Sequence, residues 1–172
     1  MRTTIGNNMV MDCATFLAIE TSPEAPHYPV VCAWSLADGS IKTSLVLPAD
    51  GWPGELCYSD HLEREIILSQ GHSVKDVMLE MNDDLDGQWV LCHADFTPAN
   101  SFQQIADAID IHPAFEWSDR AADLAELLSD YWREDLQDLS FELGLDLTQA
   151  EDQVRTMQIC WARTNNLMEQ AW

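Results

Sequence analysis

Apolar positions along the chain follow two rhythms. Cys13–Ile19 is a compact apolar run, and Tyr28–Ala37 is a second, carrying the aromatic and β-branched residues that favour strands. Asp38-Gly39 is a hairpin turn signal and leads into a third run, Ile41–Leu47. Together they predict an antiparallel meander of three strands.

The period then lengthens. Leu62–Leu68 reads as a short helix ending near Gly71. Ser73 and Asp76 resemble a capping box with Asp in place of Glu, ahead of Val74, Val77, Met78, Met81 and Leu85 at helical spacing. Asp86-Gly87 introduces a fourth strand, Gln88–His93. Thr97 and Pro98 suit an N-cap and first helical position, with the helix running on through Phe102, Ile105 and Ile109. The spacing predicts one long helix over Asp119–Leu139, with Leu124, Leu127, Leu128, Tyr131 and Leu136 on one side. It predicts a last helix from about Thr148, carrying Val154, Met157, Trp161, Thr164, Met168 and Ala171.

Three strands, helices, a strand and more helices predict an α/β layer fold. Its mixed sheet has an antiparallel three-strand meander followed by parallel strand(s), flanked by helices. No internal repeat or long linker divides the 172 residues, so the expectation is a single domain over 1–172 with an acidic helical part at about 119–172.

Charge changes the picture more than composition does. Thirty acidic against eight basic residues give a net charge of −22, and residues 119–152 alone hold eleven acids and two arginines. Such a surface repels polyanions, since nucleic-acid binding draws on Lys and Arg to neutralise phosphates. It favours solubility, cations and basic partners. Adaptation to a salty cytoplasm, or plain solvation of helix faces, would produce the same excess. The five cysteines, Cys13, Cys32, Cys57, Cys92 and Cys160, are odd in number and lack any C-x-x-C spacing. They read as buried reduced thiols. The first twenty residues lack a signal peptide's pattern, and no apolar run approaches the roughly 20 residues of a membrane helix, so the expectation is cytoplasmic and not membrane-bound.

Several words then share an order. Ile19-Glu20-Thr21 is followed by Tyr28-Pro29-Val30-Val31 and Ala33-Trp34; "LVLP" at 45–48 precedes Trp52; "REIILSQGHS" spans Arg64 to Ser73; "MNDDLDGQWVLCHAD" spans Met81 to Asp95; and "RTNNLMEQAW" ends the chain. Over most of its length the chain resembles the DEDD-type 3′–5′ exonucleases, a branch of the ribonuclease-H-like fold that includes polymerase proofreading subunits. That resemblance implies four carboxylates around two divalent metals, usually magnesium, which clamp the scissile phosphate. It also implies a histidine or tyrosine near the last aspartate to activate water.

Each motif departs from that pattern. The first needs an aspartate two residues before the glutamate, because period two puts both side chains on one strand face. Glu20 is present, but its partner position is Ala18, whose methyl cannot coordinate a hard cation. The alternative for Glu20 is a solvated carboxylate at a strand end. The second motif needs an aspartate near the start of the helix after Gln88–His93, where Pro98, Ala99, Asn100 and Ser101 stand. Asp95 remains the candidate if the loop shifts towards Glu20, and otherwise caps the helix or solvates the turn. His93 reads as structural, and His27, His61, His72 and His112 show no ligand spacing. The third motif, a histidine five residues before an aspartate on the last helix, aligns with Cys160 and Asn165 or with Trp161 and Asn166. Neither pair supplies a base and a carboxylate, and Trp161 reads as a core anchor.

The leading expectation is therefore an exonuclease-like chain with a degraded site, retained as a binding or regulatory module. Its partner would be a basic protein, and no cofactor is expected. A surviving exonuclease using Glu20 and Asp95 with magnesium or manganese, acting on nucleic acid, is the enzyme alternative. An acidic inhibitor imitating nucleic acid towards a basic partner is the third.

Overall fold

The computed structural model describes residues 14–93 and 98–165. Five strands form one sheet in the order β3-β2-β1-β4-β5. β1 (Thr15–Thr21), β2 (Pro29–Ser35) and β3 (Ile41–Leu45) make the expected antiparallel meander. β4 (Trp89–Cys92) then lies parallel to β1, and β5 (Glu116–Ser118) parallel to β4. The sheet is mixed, a meander followed by parallel strands as the sequence pattern predicts, and the parallel strands are added beside the first strand of the meander.

Strand alternation sorts the core into two layers. Phe16 and Ala18 of β1, with Val31 and Ala33 of β2, face a cluster built from Leu124, Leu136, Val154 and Met157. Leu17 and Ile19, with Cys32 and Trp34, face the other cluster, which holds Met78, Met81 and Phe102. The helices divide accordingly. α2 (Val74–Asp84) and α3 (Pro98–Ile109) cover one face; α4 (Ala121–Leu127), α5 (Trp132–Leu143) and α6 (Ala150–Thr164) cover the other. A short α1 (Arg64–Gln70) precedes α2 and inserts Ile67. Thr15–Glu20 and all of β2 are buried, as expected of central strands covered on both faces, and all but Thr15, Glu20 and Ser35 are apolar.

Ser73 caps α2 as expected: its Oγ accepts the Asp76 amide at 3.1 Å and donates to the Asp76 carboxylate at 2.7 Å. The long helix over Asp119–Leu139 is not formed as one element. It divides after Leu127, because the Ser129 hydroxyl accepts the Tyr131 amide and the Ser129 carbonyl accepts the Trp132 amide, starting a second helix. Tyr131, placed on the apolar side by the long-helix reading, consequently points out at 72% exposure. β5 escapes the sequence reading because three residues carry too little alternation to register. Cys32, Cys57, Cys92 and Cys160 are buried and free. Burial alone pushes the Cys32 thiol up to about 12. Thr97, Met168, Ala171 and Cys13 lie outside the described residues. No described helix is long and apolar enough to cross a membrane.

Candidate functional site

β1 carries Glu20 to its C-terminal end, on the same face as Phe16 and Ala18. A register irregularity between Glu20 and Thr21 ends the regular pairing with β2 there. Glu20 is not the solvated carboxylate of the alternative reading: its side chain is 7% exposed. Its neighbours arrive from two distant segments. The loop before α1 brings Ser59 and His61, with His61 Nε2 3.3 Å from Glu20 Oε1. That contact lacks hydrogen-bond alignment, and both Glu20 Oε1 and Ser59 Oγ are buried without a hydrogen-bond partner. From the other side the α5–α6 connection brings Asp146 and the first residue of α6, Ala150, whose amide is directed to the carboxylate.

Burial is the largest influence on Glu20 and pushes its carboxyl above the ordinary 4.5. The Ser59 hydroxyl, the His61 ring and the Ala150 amide oppose the rise, while the charge of Asp146 adds to it. Asp146 is exposed and moves the other way. The Thr148 hydroxyl and amide, at 2.7 and 2.9 Å, hold it below the usual carboxylate range, and His61 adds a smaller pull. Sequence reasoning missed Ser59, His61 and Asp146. His61 was visible only as a histidine without ligand spacing, and its partner lies on β1, far away in sequence.

Asp95 and Asn166 lie outside the described residues, and the remaining described candidates do not converge on Glu20. Asn100 donates from Nδ2 to the Pro26 carbonyl at 2.8 Å, tying the first turn of α3 to the β1–β2 loop, while Pro98 and Ser101 are buried. Ala150, at the start of α6, is the part of that helix beside Glu20. Trp161 and Asn165 therefore stand roughly 16 Å or more further along the axis. Trp161 lines a cavity of about 460 Å³ with Ala14, Thr15 and Trp89, at the beginning of β1. It is half-buried and packs against the core from that edge, so the third-motif alignment to residues 160–166 does not bring its described positions to Glu20. Asn165 Nδ2 donates to the Trp161 carbonyl at 2.8 Å and closes the helix end. His93 is buried edge-on to Trp132, with ring centroids 5.1 Å apart.

No protein-family model matches the sequence, and no curated protein matches it significantly. Solved structures do. Escherichia coli exonuclease I in complex with a dA16 oligonucleotide aligns with a TM-score of 0.62 and 13% identity, over 90% of this chain and 42% of that one. The zinc-bound form of the same enzyme with single-stranded DNA gives 0.61 and 14%, over 88% and 41%. Exonuclease I of Methylocaldum szegediense gives 0.58 and 15%, over 88% and 41%. The fold is that of exonuclease I. It is ribonuclease-H-like, and the chain spans about two-fifths of the length of those exonuclease I chains.

An exonuclease of this fold that used two divalent metals would need several oxygen donors converging on the end of β1. Glu20 Oε1, buried without a hydrogen-bond partner, fits one such donor. The next position on its face, Ala18, is 4% exposed and part of the apolar cluster. Among the described residues no three His, Cys, Asp or Glu side chains form a cage. The described residues therefore do not fit the two-metal clamp.

Proposed function

We propose that this chain is an exonuclease-fold module that binds or regulates and does not hydrolyse, its two-metal site degraded. One observation carries the reading. Where the family pattern wants a second carboxylate on the Glu20 face, Ala18 is buried among Phe16, Val154 and Met157. The surviving Glu20 lies instead against the chain's own His61, and burial raises its carboxyl above the usual range. One carboxylate without a second beside it supplies too few oxygens to clamp a pair of hard cations. The acidic surface then selects a basic partner.

The enzyme reading has an observation of its own. Asp146 and Glu151 stand five residues apart at the Glu20 end of α6, supplying two further acids. Both are engaged in local bonds, however. Asp146 holds the Thr148 turn, and Glu151 pairs with Arg155 at 2.5 Å and accepts from Thr43 at 3.5 Å. Nucleic acid as substrate remains part of this reading only.

A trimming assay on a 5′-labelled single-stranded oligonucleotide with magnesium or manganese separates the two. The degraded site predicts no shortening that differs between the wild type and Glu20→Ala. Metal-dependent trimming abolished by Glu20→Ala would establish the enzyme and end the binding-module reading.

A further inference from the structure

α5 is a helix with two characters. Trp132, Leu136 and Leu139 face the core, while the outer side carries Tyr131 and Phe141, the latter 91% exposed. Single exposed apolar residues are ordinary on a soluble surface. These two are set among acids. Tyr131, Asp135, Asp138 and Glu142 succeed one another at steps of four, three and four, so they share one side of the helix. Phe141, three residues beyond Asp138, stands beside that row.

Asp135, Asp138 and Glu142 also form one wall of a groove of about 210 Å³ between α5 and α6, with Leu139 and Cys160 as apolar lining. At one end Arg163 lays both terminal nitrogens on the Glu142 carboxylate at 3.0 Å each, so the groove already seats one guanidinium of the chain's own. Asp135 accepts the Ser129 hydroxyl. The exposed Asp138 side chain makes no hydrogen bond or ion pair among the described residues.

We propose that this unpartnered face of α5 docks a basic segment of another protein, seating an arginine against Asp138 and an apolar side chain against Phe141. Charge complementarity selects the occupant. Residues 119–152 carry eleven acids and two arginines, which repels nucleic acid and anionic lipid headgroups alike. Aromatic area beside carboxylates suits a partner that is both cationic and apolar. Arginine is preferred to lysine because its planar fork matches a carboxylate with two parallel bonds, the arrangement Arg163 makes with Glu142. The assignment rests on the binding-module reading, but trimming activity and docking are measured separately, so either can fail without the other.

The test uses the full chain and a short fluorescent peptide of alternating arginine and leucine, followed by anisotropy at physiological salt. Asp138→Asn should weaken binding about threefold, and Asp138→Asn with Phe141→Ser about tenfold or more. Asp83→Asn, an equal charge change on exposed α2, should leave binding within about 1.5-fold. A lysine–leucine peptide should bind several-fold more weakly. The proposal is overturned if Asp83→Asn weakens binding as much as Asp138→Asn, since the field of the whole surface would then suffice. It is equally overturned if the arginine peptide fails to bind, if lysine serves as well as arginine, or if a glutamate–leucine peptide binds as well.

Discussion

Glu20 sits where two demands on a carboxylate conflict. Its backbone neighbours bury it, and its side-chain neighbours only partly compensate the charge, so its folded carboxyl lies above 4.5. A raised carboxyl favours the protonated form, so the fold is helped below the unfolded value and that help is lost as pH rises through the folded one. Glu20→Gln removes the ionisation and keeps the shape. It should be more stable than the wild type at pH 7 to 8, with the advantage disappearing below about pH 4.5, as read from urea midpoints across that range. A variant that is less stable at every pH would mean that the contacts of the charged carboxylate outweigh its desolvation. Ala18 gives the complementary case. Ala18→Asp places a second carboxylate among Phe16, Val154 and Met157, and should cost about 3 kcal/mol in equilibrium unfolding. Added manganese should not restore the loss. That Ala18 and Glu20 share a face is legible from a period of two. That His61 and Asp146 flank Glu20 is not, because loops carry no period that would bring them there.

Elements were legible where apolar spacing persisted for several turns or a full strand, and less so where a local hydrogen bond interrupted it. Val74, Val77, Met78 and Met81 gave α2, and Ser73 gave its start. Over 119–139 the leucines continued at helical steps through a place where the backbone does not. Leu128 is fully buried, yet the chain turns behind it, because Ser129 offers its hydroxyl to the Tyr131 amide and binds the Asp135 carboxylate. A serine with an acid six residues on is a weak signal beside an unbroken row of leucines. If this serine sets the break, Ser129→Ala should lower stability by about 1 kcal/mol, the usual net worth of a hydrogen bond. Hydrogen exchange should quicken over the first turn of α5 and remain unchanged in α2. Uniform loss of protection across the molecule would place the effect in the core around Leu128 instead. The last helix shows a different limit. Its existence and apolar stripe were readable, but the end that faces Glu20 is fixed by the sheet, since α6 runs back along β1 with Ala150 beside the strand's far end.

At the scale of the whole molecule the acidic excess acts against the fold that carries it. Thirty acids and eight bases allow many more repulsive than attractive pairs. Apart from His61 beside the buried Glu20, the attractive pairs described lie at or near the surface, among them Lys42 with Glu80 and Asp84, Arg120 with Asp123, Arg155 with Glu151, and Arg163 with Glu142. Such pairs are worth about 0–1 kcal/mol each and are weakened by salt. The summed repulsion of a net charge of −22 is weakened by the same salt and is spread over every helix face. Screening should therefore relieve more than it removes. Raising sodium chloride from about 20 mM to 500 mM shortens the Debye length from roughly 20 Å to 4 Å. The unfolding midpoint should then rise by about 4 °C, as expected of a gain near 1–2 kcal/mol in a domain of this size. Sodium chloride is the right salt, because sulfate would stabilise any protein by exclusion from its surface. The same rise should be smaller in a variant with acids of 119–152 replaced by their amides. An unchanged or falling midpoint in the wild type would mean that the ion pairs outweigh the repulsion, and that the acidic surface carries no strain for a basic partner to relieve.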